Sequence, residues 1–394
     1  MFSSEVIKMR MARAYAALRE FDVDLWISIG RETHFTVEPS LLYLLPAPGL
    51  SVCALAVGKS RSVCLVAPID AEEMAAYGAH TQTISFTGNI DEALTQAIRG
   101  FGPLRRVALN FSEVDPSADG LSLTQYRRLT RCLSDAGFTG EVISAANIMK
   151  RVRGQKSEEE VRCIEKTVLA AMEIYRRSRE QIHSGMSGRD VQQFFQDQVC
   201  SLGAEFSWPK TGNPYVSVGT RSSYLCKRPS SEVRLQAGDL VNVDFGLRID
   251  GFASDNQRSY YVLGRDETAA PQEVQRAFFA VQEAIRAAVA AAKPGVHTSL
   301  PLIAANEVFE KLGFPKVGGL GHEVGTFAHE GGMRIGHAFS QGELDMHLEA
   351  GMTFTMEPAI ITPHGRLCQE EVVAITDNGC RMLSDPQKEV WLVR

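Results

Sequence analysis

The alternation of apolar and polar positions near the middle of the chain predicts two paired strands. The run Leu240–Val243 is apolar except at its third position, which is typical of a buried strand. Asp250-Gly251 strongly predicts a tight hairpin, after which the chain returns through Phe252–Val262. Asp244 at the end of the first strand and Asp255 on the second are therefore expected to lie close together.

Two carboxylates on paired apolar strands repel each other and are poorly solvated. They need a cation or a proton to remain there. The alternative interpretation is that this pair is merely a solvated turn aspartate and an edge aspartate. The strand pair alone leaves both interpretations open.

Helical periodicity surrounds these strands in the second half of the chain. Ser187 is expected to cap one helix and Gly203 to end it in a left-handed conformation. Further strands are expected around Thr353–Ile361 and Val372–Thr376. The predicted helices run approximately over Ser157–Gln181, Gly188–Leu202, Pro271–Lys293 and Ser299–Gly313.

The first half alternates short apolar runs with helical patterns, which predicts a layered α/β domain. A hairpin is expected at residues 58–60. The predicted helices lie near residues 4–21, 71–77, 90–99 and 123–135, and the predicted strands near residues 23–29, 50–57, 61–67 and 107–111.

A basic stretch, Met149–Ser157, separates the two halves and is interpreted as a solvated linker. Ser157 is expected to cap the next helix, with Glu158, Glu159 and Glu160 at the positive end of its dipole. The predicted domains are therefore residues 1–150 and residues 151–394.

Composition narrows the function classes. A length of 394 residues favours two or three domains, and a net charge of −6 without a basic stripe argues against a nucleic-acid partner. No apolar run reaches the roughly 18 residues of a membrane span, and no signal peptide is evident. Eight scattered cysteines without a Cys-x-x-Cys pair favour a reducing, cytoplasmic location.

Three further motifs follow the aspartate pair along the chain. They are a glycine-rich segment with His322 and, seven residues later, His329; Thr-Met-Glu-Pro around Glu357; and Gln-Glu-Glu around Glu370. The order Asp, Asp, His, Glu, Glu resembles the pita-bread metallohydrolases, which include methionine aminopeptidase, aminopeptidase P, prolidase and the non-peptidase creatinase. The resemblance covers roughly residues 150–394, and the eleven-residue spacing of the aspartates also fits.

The resemblance implies an α/β N-terminal domain and an α+β pita-bread catalytic domain that binds two divalent metal ions. Asp244 would bind one ion, Asp255 and Glu370 would bridge, and His322 and Glu357 would complete the second site. Strand alternation turns only one of Glu370 and Glu371 to the site. The family spacing selects Glu370. Manganese, cobalt, iron and zinc all suit such ligands.

The resemblance also implies a mechanism and an assembly. A hydroxide shared by the two metals would attack a peptide or amide carbonyl, with Glu357 as candidate base and His329 as hydrogen-bond donor to the tetrahedral centre. The N-terminal domain would serve dimer contacts and help to close the site, so a homodimer is expected.

The sequence departs from the peptidase pattern at three positions. Cys226 stands where the peptidases have a histidine. Either Cys226 acts as a nucleophile or base, or the role of that histidine is lost or is taken over by Tyr224. Gly318 replaces a histidine and Cys368 an arginine that proline-specific members use to grip substrate, and Arg366 is out of register.

Three hypotheses follow from these matches and departures. The first is an Xaa-Pro dipeptidase-like or aminopeptidase-like metallohydrolase acting on a dipeptide. The second is a non-peptidase acting on a small zwitterionic molecule, through creatinase-like or ectoine-hydrolase-like C–N hydrolysis or through elimination like that of the dimethylsulfoniopropionate lyase. The third is a catalytically inactive binding protein on the same scaffold.

Overall fold

The structure, a computed structural model, describes residues 2–31, 38–47, 49–113, 115–221, 228–336 and 346–394. The chain forms two compact units, Met1–Gln155 and Lys156–Phe339 with Met346–Arg394. The domain bounds 1–150 and 151–394 stay a prediction. Among the described residues, no helix combines the length and the apolar character needed to cross a membrane.

The N-terminal unit is built on a six-stranded mixed sheet, as the predicted α/β class requires. The strands, in the spatial order β4-β3-β2-β1-β5-β6, are parallel except where β2 pairs with β1 and β3. Its strands are β1 (Leu25–Gly30), β2 (Cys53–Gly58), β3 (Ser62–Val66), β4 (Gln82–Ser85), β5 (Arg106–Leu109) and β6 (Glu141–Ser144). Its helices are α1 (Ser4–Glu20), α2 (Pro39–Leu44), α3 (Pro68–Tyr77), α4 (Ile90–Gly100), α5 (Leu123–Asp135) and α6 (Ala146–Gly154), with a 3-10 turn at Pro116–Ala118.

The two faces of strand β1 differ in chemistry. Leu25, Ile27 and Ile29 enter an apolar core that includes residues of α4 and α5. Trp26 and Ser28 alternate with them and meet a buried polar network. In this network Trp26 Nε1 donates a hydrogen bond to Asn110 Oδ1 at 2.7 Å.

The predicted solvated linker is wrong. Residues 146–154 form helix α6, and Lys150 and Arg153 are buried in it. Arg153 pairs with Asp115 at 3.0 Å, and Lys156 pairs with Glu330 at 2.6 Å, with all four of these side chains almost fully buried. The basic charges are therefore neutralised inside each unit, a pairing that the local sequence does not reveal.

The second unit contains two pairs of helices and several small sheets that are mainly antiparallel, so the predicted α+β class is confirmed. Its helices are α7 (Glu158–Ser178), α8 (Gly188–Ser201), α9 (Gln272–Ala291) and α10 (Ser299–Leu312), with a 3-10 turn at Lys210–Gly212. Its first strands are β7 (Glu205–Phe206), β8 (Tyr215–Val218), β9 (Leu240–Phe245), β10 (Leu247–Ile249), β11 (Phe252–Ala253), β12 (Asn256–Val262) and β13 (Gly319–His322). The remaining strands are β14 (Arg334–Gly336), β15 (Thr353–Met356), β16 (Ala359–Thr362), β17 (Gly365–Cys368), β18 (Glu371–Thr376), β19 (Gly379–Met382) and β20 (Trp391–Val393).

Two of these sheets meet at the centre of the unit. One has the order β20-β12-β9-β8 and the other β15-β18-β19, and an isolated bridge between Gln257 and Glu370 connects them. Residues of α7 and α8 share a core with β9 and β12, whereas residues of α9 and α10 share a core with β15 and β18. Each helix pair therefore supports one of the two sheets.

The local signals for these elements are confirmed. Ser157 and Glu160 form a capping box at the start of α7, and Ser187 caps α8. Asp250 and Gly251 have φ angles of 53° and 85°, which is the positive-φ pair that a tight hairpin turn needs. Pro271 differs slightly from expectation, because it lies at the cap position of α9 and not in its first turn.

Candidate metal centre

The two aspartates lie on the central strand pair. Strand β9 pairs with β12 in antiparallel register, so that Asp244 is opposite Gln257. Asp255 directly precedes β12 and is 4% exposed. The predicted proximity of Asp244 and Asp255 is therefore realised by this register.

His322 and Glu357 come from two neighbouring strand ends. His322 ends β13, and Glu357 follows β15 directly, with its backbone N–H donating to Leu320 O at 2.6 Å. A Cβ atom at Gly321 would lie 1.9 Å from the carbonyl oxygen of Thr355. Only glycine permits this approach of β13 to β15, and the approach places His322 beside Glu357.

Glu370 is held where the two central sheets meet. Its backbone N–H donates to Gln257 O at 3.2 Å, and its carbonyl oxygen accepts hydrogen bonds from Asn256 Nδ2 at 3.1 Å and Arg258 Nη1 at 3.0 Å. The backbone of Glu370 is thus fixed on both sides, and its side chain is 1% exposed.

The predicted ligand residues converge on one pocket of about 280 Å³. Three overlapping groups each have ligand atoms that all lie within 4.8 Å of one another. They are Asp244 with Asp255 and Glu370; His322 with Glu357 and Glu370; and Asp255 with His322 and His329. The structure therefore brings together all five predicted ligands and His329.

The protonation state of His322 suits a ligand. Its Nδ1 lies 3.2 Å from the carbonyl oxygen of Glu323, which places the ring proton on Nδ1 and leaves the lone pair on Nε2. Burial lowers the pKa of His322 to about 4, so the ring is neutral near pH 7. Nε2 lies 3.7 Å from Asp255 Oδ2, 3.6 Å from Glu357 Oε1 and 3.9 Å from Glu370 Oε1.

The buried carboxylates of the pocket favour a bound proton or a nearby cation. Burial raises the pKa of Glu370 well above its ordinary value, and the nearby charges of Glu357 and Asp244 raise it further. Burial likewise raises the pKa of Glu357. Glu370 Oε1 has no hydrogen-bond partner among the described residues. An orphaned buried oxygen beside a neutral imidazole and further carboxylates fits divalent cations, which prefer oxygen and imidazole ligands.

Comparison with known proteins identifies the family. The profile of metallopeptidase family M24 matches residues 162–381, which is more than half of the chain and includes every predicted ligand. The chain belongs to metallopeptidase family M24. Members of this family use divalent metals, and the chain is accordingly a metallohydrolase.

Individual M24 relatives agree with this assignment. The chain is 32% identical to an Xaa-Pro dipeptidase from Pyrococcus furiosus over 248 residues, which are 62% of this chain and 67% of that protein. It superposes on the Xaa-Pro dipeptidase from Bacillus anthracis with a TM-score of 0.77 at 20% identity, over 98% of this chain and 100% of that chain. Dipeptidase PepE from Mycobacterium ulcerans gives a TM-score of 0.76 at 22% identity, over 100% and 99% of the two chains. These superpositions confirm the two-domain pita-bread fold.

His329 extends the M24 pocket towards solvent. Its ring centroid is 4.2 Å from that of His322, and it is exposed where His322 is nearly buried. Burial of part of the ring and the neighbouring His322 lower the pKa of His329 to about 4, so it is also neutral near pH 7. The loop that carries it is anchored by Glu330, whose Oε1 accepts a hydrogen bond from Thr326 N at 2.7 Å.

Glu371 is buried as well, although on the other side of the strand. Its carboxylate pairs with Arg258 at 3.0 Å and accepts a hydrogen bond from Gln369 Nε2 at 2.6 Å. Strand alternation correctly turns only Glu370 to the pocket. It does not indicate that the opposite face of β18 holds a buried ion pair.

Two residues outside the predicted ligand set contact or support the candidate ligands. Gln257 Nε2 donates hydrogen bonds to Glu357 Oε2 and Glu370 Oε2, both at 3.0 Å. Arg366, expected to be out of register, donates from Nη1 to Gln257 Oε1 at 2.6 Å. Only the strand positions of these residues could have drawn attention to them, because neither belongs to a ligand motif.

An aromatic wall completes the described part of the M24 pocket. Trp208 and Tyr215 line it, and their rings stack with centroids 6.2 Å apart and an angle of 14° between their planes. Trp208 Nε1 donates to Gly212 O at 2.8 Å, which fixes the indole. Cys226 belongs to residues 222–227, which lie outside the described residues, so its predicted catalytic role stays a prediction.

Proposed function

We propose that the protein is a dinuclear metal-dependent hydrolase of the Xaa-Pro dipeptidase or aminopeptidase type, which cleaves a peptide or amide bond in a dipeptide-sized substrate. The observation that carries the proposal is the set of three overlapping ligand groups in one pocket, in which Asp255, His322 and Glu370 each belong to two groups. Shared ligands of this kind favour two neighbouring cations over a single one.

The proposed ligand assignment is the one that the family resemblance implies. Asp244 would hold one cation, Asp255 and Glu370 would be shared between the two, and His322 and Glu357 would complete the second site; all five side chains belong to the clustered groups. Mn²⁺, Co²⁺, Fe²⁺ and Zn²⁺ all suit this mixture of carboxylates and imidazole. When bound, two such cations lower the pKa of water and polarise a carbonyl group.

Glu357 and His329 supply the proton chemistry in this proposal. The carboxylate of Glu357 is 27% exposed to the pocket, and burial raises its pKa, which favours acceptance of a proton from the attacking water. His329 is neutral near pH 7 and therefore offers one N–H donor to the oxyanion without adding charge. Cys226 remains a further candidate for proton transfer on the strength of its sequence position alone.

The pocket supports a small substrate with an apolar ring. A volume of about 280 Å³ is just below the range for small-molecule sites, which is about 300–1,000 Å³. The stacked pair of Trp208 and Tyr215 offers a flat apolar surface beside the ligand groups. A proline side chain matches that surface, and the Xaa-Pro dipeptidase names of the relatives agree with such a substrate.

One observation favours a second candidate, a non-peptidase acting on a small zwitterionic molecule. Gly318 lies at the surface with nothing within 4 Å of an added Cβ, and the Cys368 thiol is buried against the carbonyl oxygen of Glu357. Neither position places a cationic grip in the described part of the pocket. Recognition of a dipeptide carboxylate therefore has to come from other groups.

We further propose a cytoplasmic homodimer, as expected from the family resemblance and the cysteine pattern. The reduced full chain should behave as a dimer in size-exclusion chromatography with light scattering. A monomeric mass over the micromolar range would contradict the proposed assembly.

Metal analysis of the full chain tests the proposal. Protein purified without chelators should contain about two transition-metal equivalents by mass spectrometry, and Asp255→Ala should lose most of them. Asp239→Ala is the matched control, because Asp239 immediately precedes β9 but pairs with Arg221 outside the ligand groups. Folded wild-type protein that takes up no metal would refute the proposed centre.

A substrate panel separates the two candidate functions. Xaa-Pro dipeptides, dipeptides without proline, and small zwitterionic amidino, amide and sulfonium compounds should be offered to the metal-loaded enzyme. Preferential cleavage of Xaa-Pro bonds supports the first candidate. Turnover of the small zwitterions without dipeptide cleavage supports the second and overturns the first.

A further inference from the structure

We infer that Gln257 is a positioning residue of the metal centre, whose amide decides which oxygen of Glu357 and which oxygen of Glu370 faces the cations. Arg366 in turn decides which end of that amide faces the carboxylates. The inference rests on the proposed dinuclear function and adds to it two residues outside the predicted ligand set.

The amide of Gln257 spans both carboxylates. Gln257 lies on β12 opposite Asp244, is 3% exposed and lines the pocket. Its Nε2 donates to Glu357 Oε2 and to Glu370 Oε2, each at 3.0 Å. Both N–H bonds of the amide are therefore used, one for each carboxylate.

The other oxygen of each carboxylate points to the imidazole. Glu357 Oε1 and Glu370 Oε1 lie 3.6 Å and 3.9 Å from His322 Nε2. Glu370 Oε1 has no hydrogen-bond partner in the described structure. The amide thus holds one oxygen of each glutamate and leaves the other oxygen next to the unprotonated ring nitrogen of His322, open to the cations.

Arg366 fixes the orientation of the amide. Its Nη1 donates to Gln257 Oε1 at 2.6 Å and to Asn242 Oδ1 at 2.7 Å. A guanidinium group has donors but no acceptor, so the amide must present its oxygen to Arg366. A flipped amide would set its oxygen against two carboxylates and its NH₂ group against a cation, which is unfavourable on both sides.

Glutamine meets requirements here that other side chains of similar length do not. Lysine would supply donors, but its charge would compete with the cations for the carboxylates. Glutamate would add a further acceptor to an acidic cluster, and methionine has no donor. A neutral amide held by Arg366 orders Glu357 and Glu370 while it leaves the charge at the ligand atoms unchanged.

Mn²⁺ binding to the full chain tests the inference. Chelator-stripped wild type, Gln257→Met and Gln387→Met should be titrated with Mn²⁺ by isothermal calorimetry. Gln387 is a matched control, because it is 2% exposed and also bonds to β12, through Ser259 O at 2.7 Å, but does not reach a ligand. Loss of an outer-shell partner typically weakens metal binding about 10–100-fold, and Gln257→Met should show this weakening whereas Gln387→Met should not.

A second pair of variants keeps the test valid if Gln257→Met fails to fold. Arg366→Met leaves the amide in place but frees it to rotate, and should weaken Mn²⁺ binding. Arg366→Lys retains a donor and should restore at least part of the affinity. At saturating Mn²⁺, the substrate KM of Arg366→Met should stay within about twofold of wild type, because the proposed effect acts on the ligands.

The possible failures can be told apart. If the wild type binds no Mn²⁺, the proposed function itself fails. If the wild type binds Mn²⁺ and Gln257→Met binds it within twofold as tightly, the positioning role is overturned while the metal centre stands. Equal weakening in Gln387→Met also overturns it, since it would show a general effect of cavity formation near β12.

Discussion

The carboxyl group of Glu38 should make the stability of the N-terminal unit depend on pH. Burial raises the pKa of Glu38 to about 7 from an ordinary value of 4.5, and its side chain is 3% exposed. Its Oε1 accepts hydrogen bonds from Ser40 Oγ at 2.7 Å and Asn110 Nδ2 at 2.5 Å, whereas Oε2 has no partner among the described residues. The folded state therefore prefers the protonated carboxyl group.

The sign and size of the effect follow from this raised pKa. Between pH 4.5 and about 7 the folded chain retains a proton that the unfolded chain releases, so the contribution is complete below pH 4.5 and is lost as the pH rises through about 7. A change of this size in pKa corresponds to about 3 kcal/mol. Glu38→Gln keeps the Oε1 acceptor and is neutral at every pH. Relative to the wild type it should gain roughly 2–3 kcal/mol of stability between pH 5 and pH 8.

Urea unfolding of the full chain at pH steps from 5 to 8 measures this difference. Trp26 reports on the N-terminal unit, because its indole donates to Asn110 in the same polar network. Glu5→Gln is the control, since it neutralises a carboxylate on α1 whose side chain is 77% exposed. If Glu38→Gln follows the wild-type pH dependence in parallel, the carboxyl group is not protonated by burial and the reasoning is refuted.

Three further outcomes are expected in the second unit. Arg258→Met should destabilise it by about 3–5 kcal/mol, because Glu371 would be left buried without its cation, and a melting temperature within 2 °C of wild type would contradict this. Gly321→Ala should displace His322, because the added Cβ would overlap Thr355 O, so that Mn²⁺ affinity falls at least tenfold by calorimetry while secondary structure measured by circular dichroism is retained. Chelation should abolish hydrolysis and lower the melting temperature, and re-addition of Mn²⁺ should restore both; full activity in excess chelator would exclude the proposed centre.

Local signals were sufficient for much of the fold. The helix capped by Ser157 and the hairpin turn at Asp250 and Gly251 depend on residues a few positions apart, and both are confirmed. Helix α6 was misread because its basic residues resemble a surface linker. Their buried partners, such as Asp115 for Arg153, lie far away in the sequence, so no local pattern could reveal the pairing.

The candidate site likewise has a part that the sequence predicts and a part that depends on contacts between distant segments. The five candidate ligands and their order came from the family resemblance, and the structure brings their side chains together, while their role as ligands stays a prediction. The residues that support these side chains could not be predicted, because Gln257 meets Glu370 only through the pairing of two sheets. Arg366 was set aside on its spacing from Glu370, whereas its long side chain reaches the site through Gln257.

The bridge between Gln257 and Glu370 joins positions 113 residues apart, and it has a consequence for the order of events during synthesis. Asp244 and Asp255 are synthesised long before Glu370, and β18 must pair with β15 before this last candidate ligand is in place. Contacts of such long range form late, because the loop between them must first be closed. If these residues bind metal as proposed, the nascent chain first displays isolated carboxylates, and we expect metal loading to wait until β18 has paired with β15.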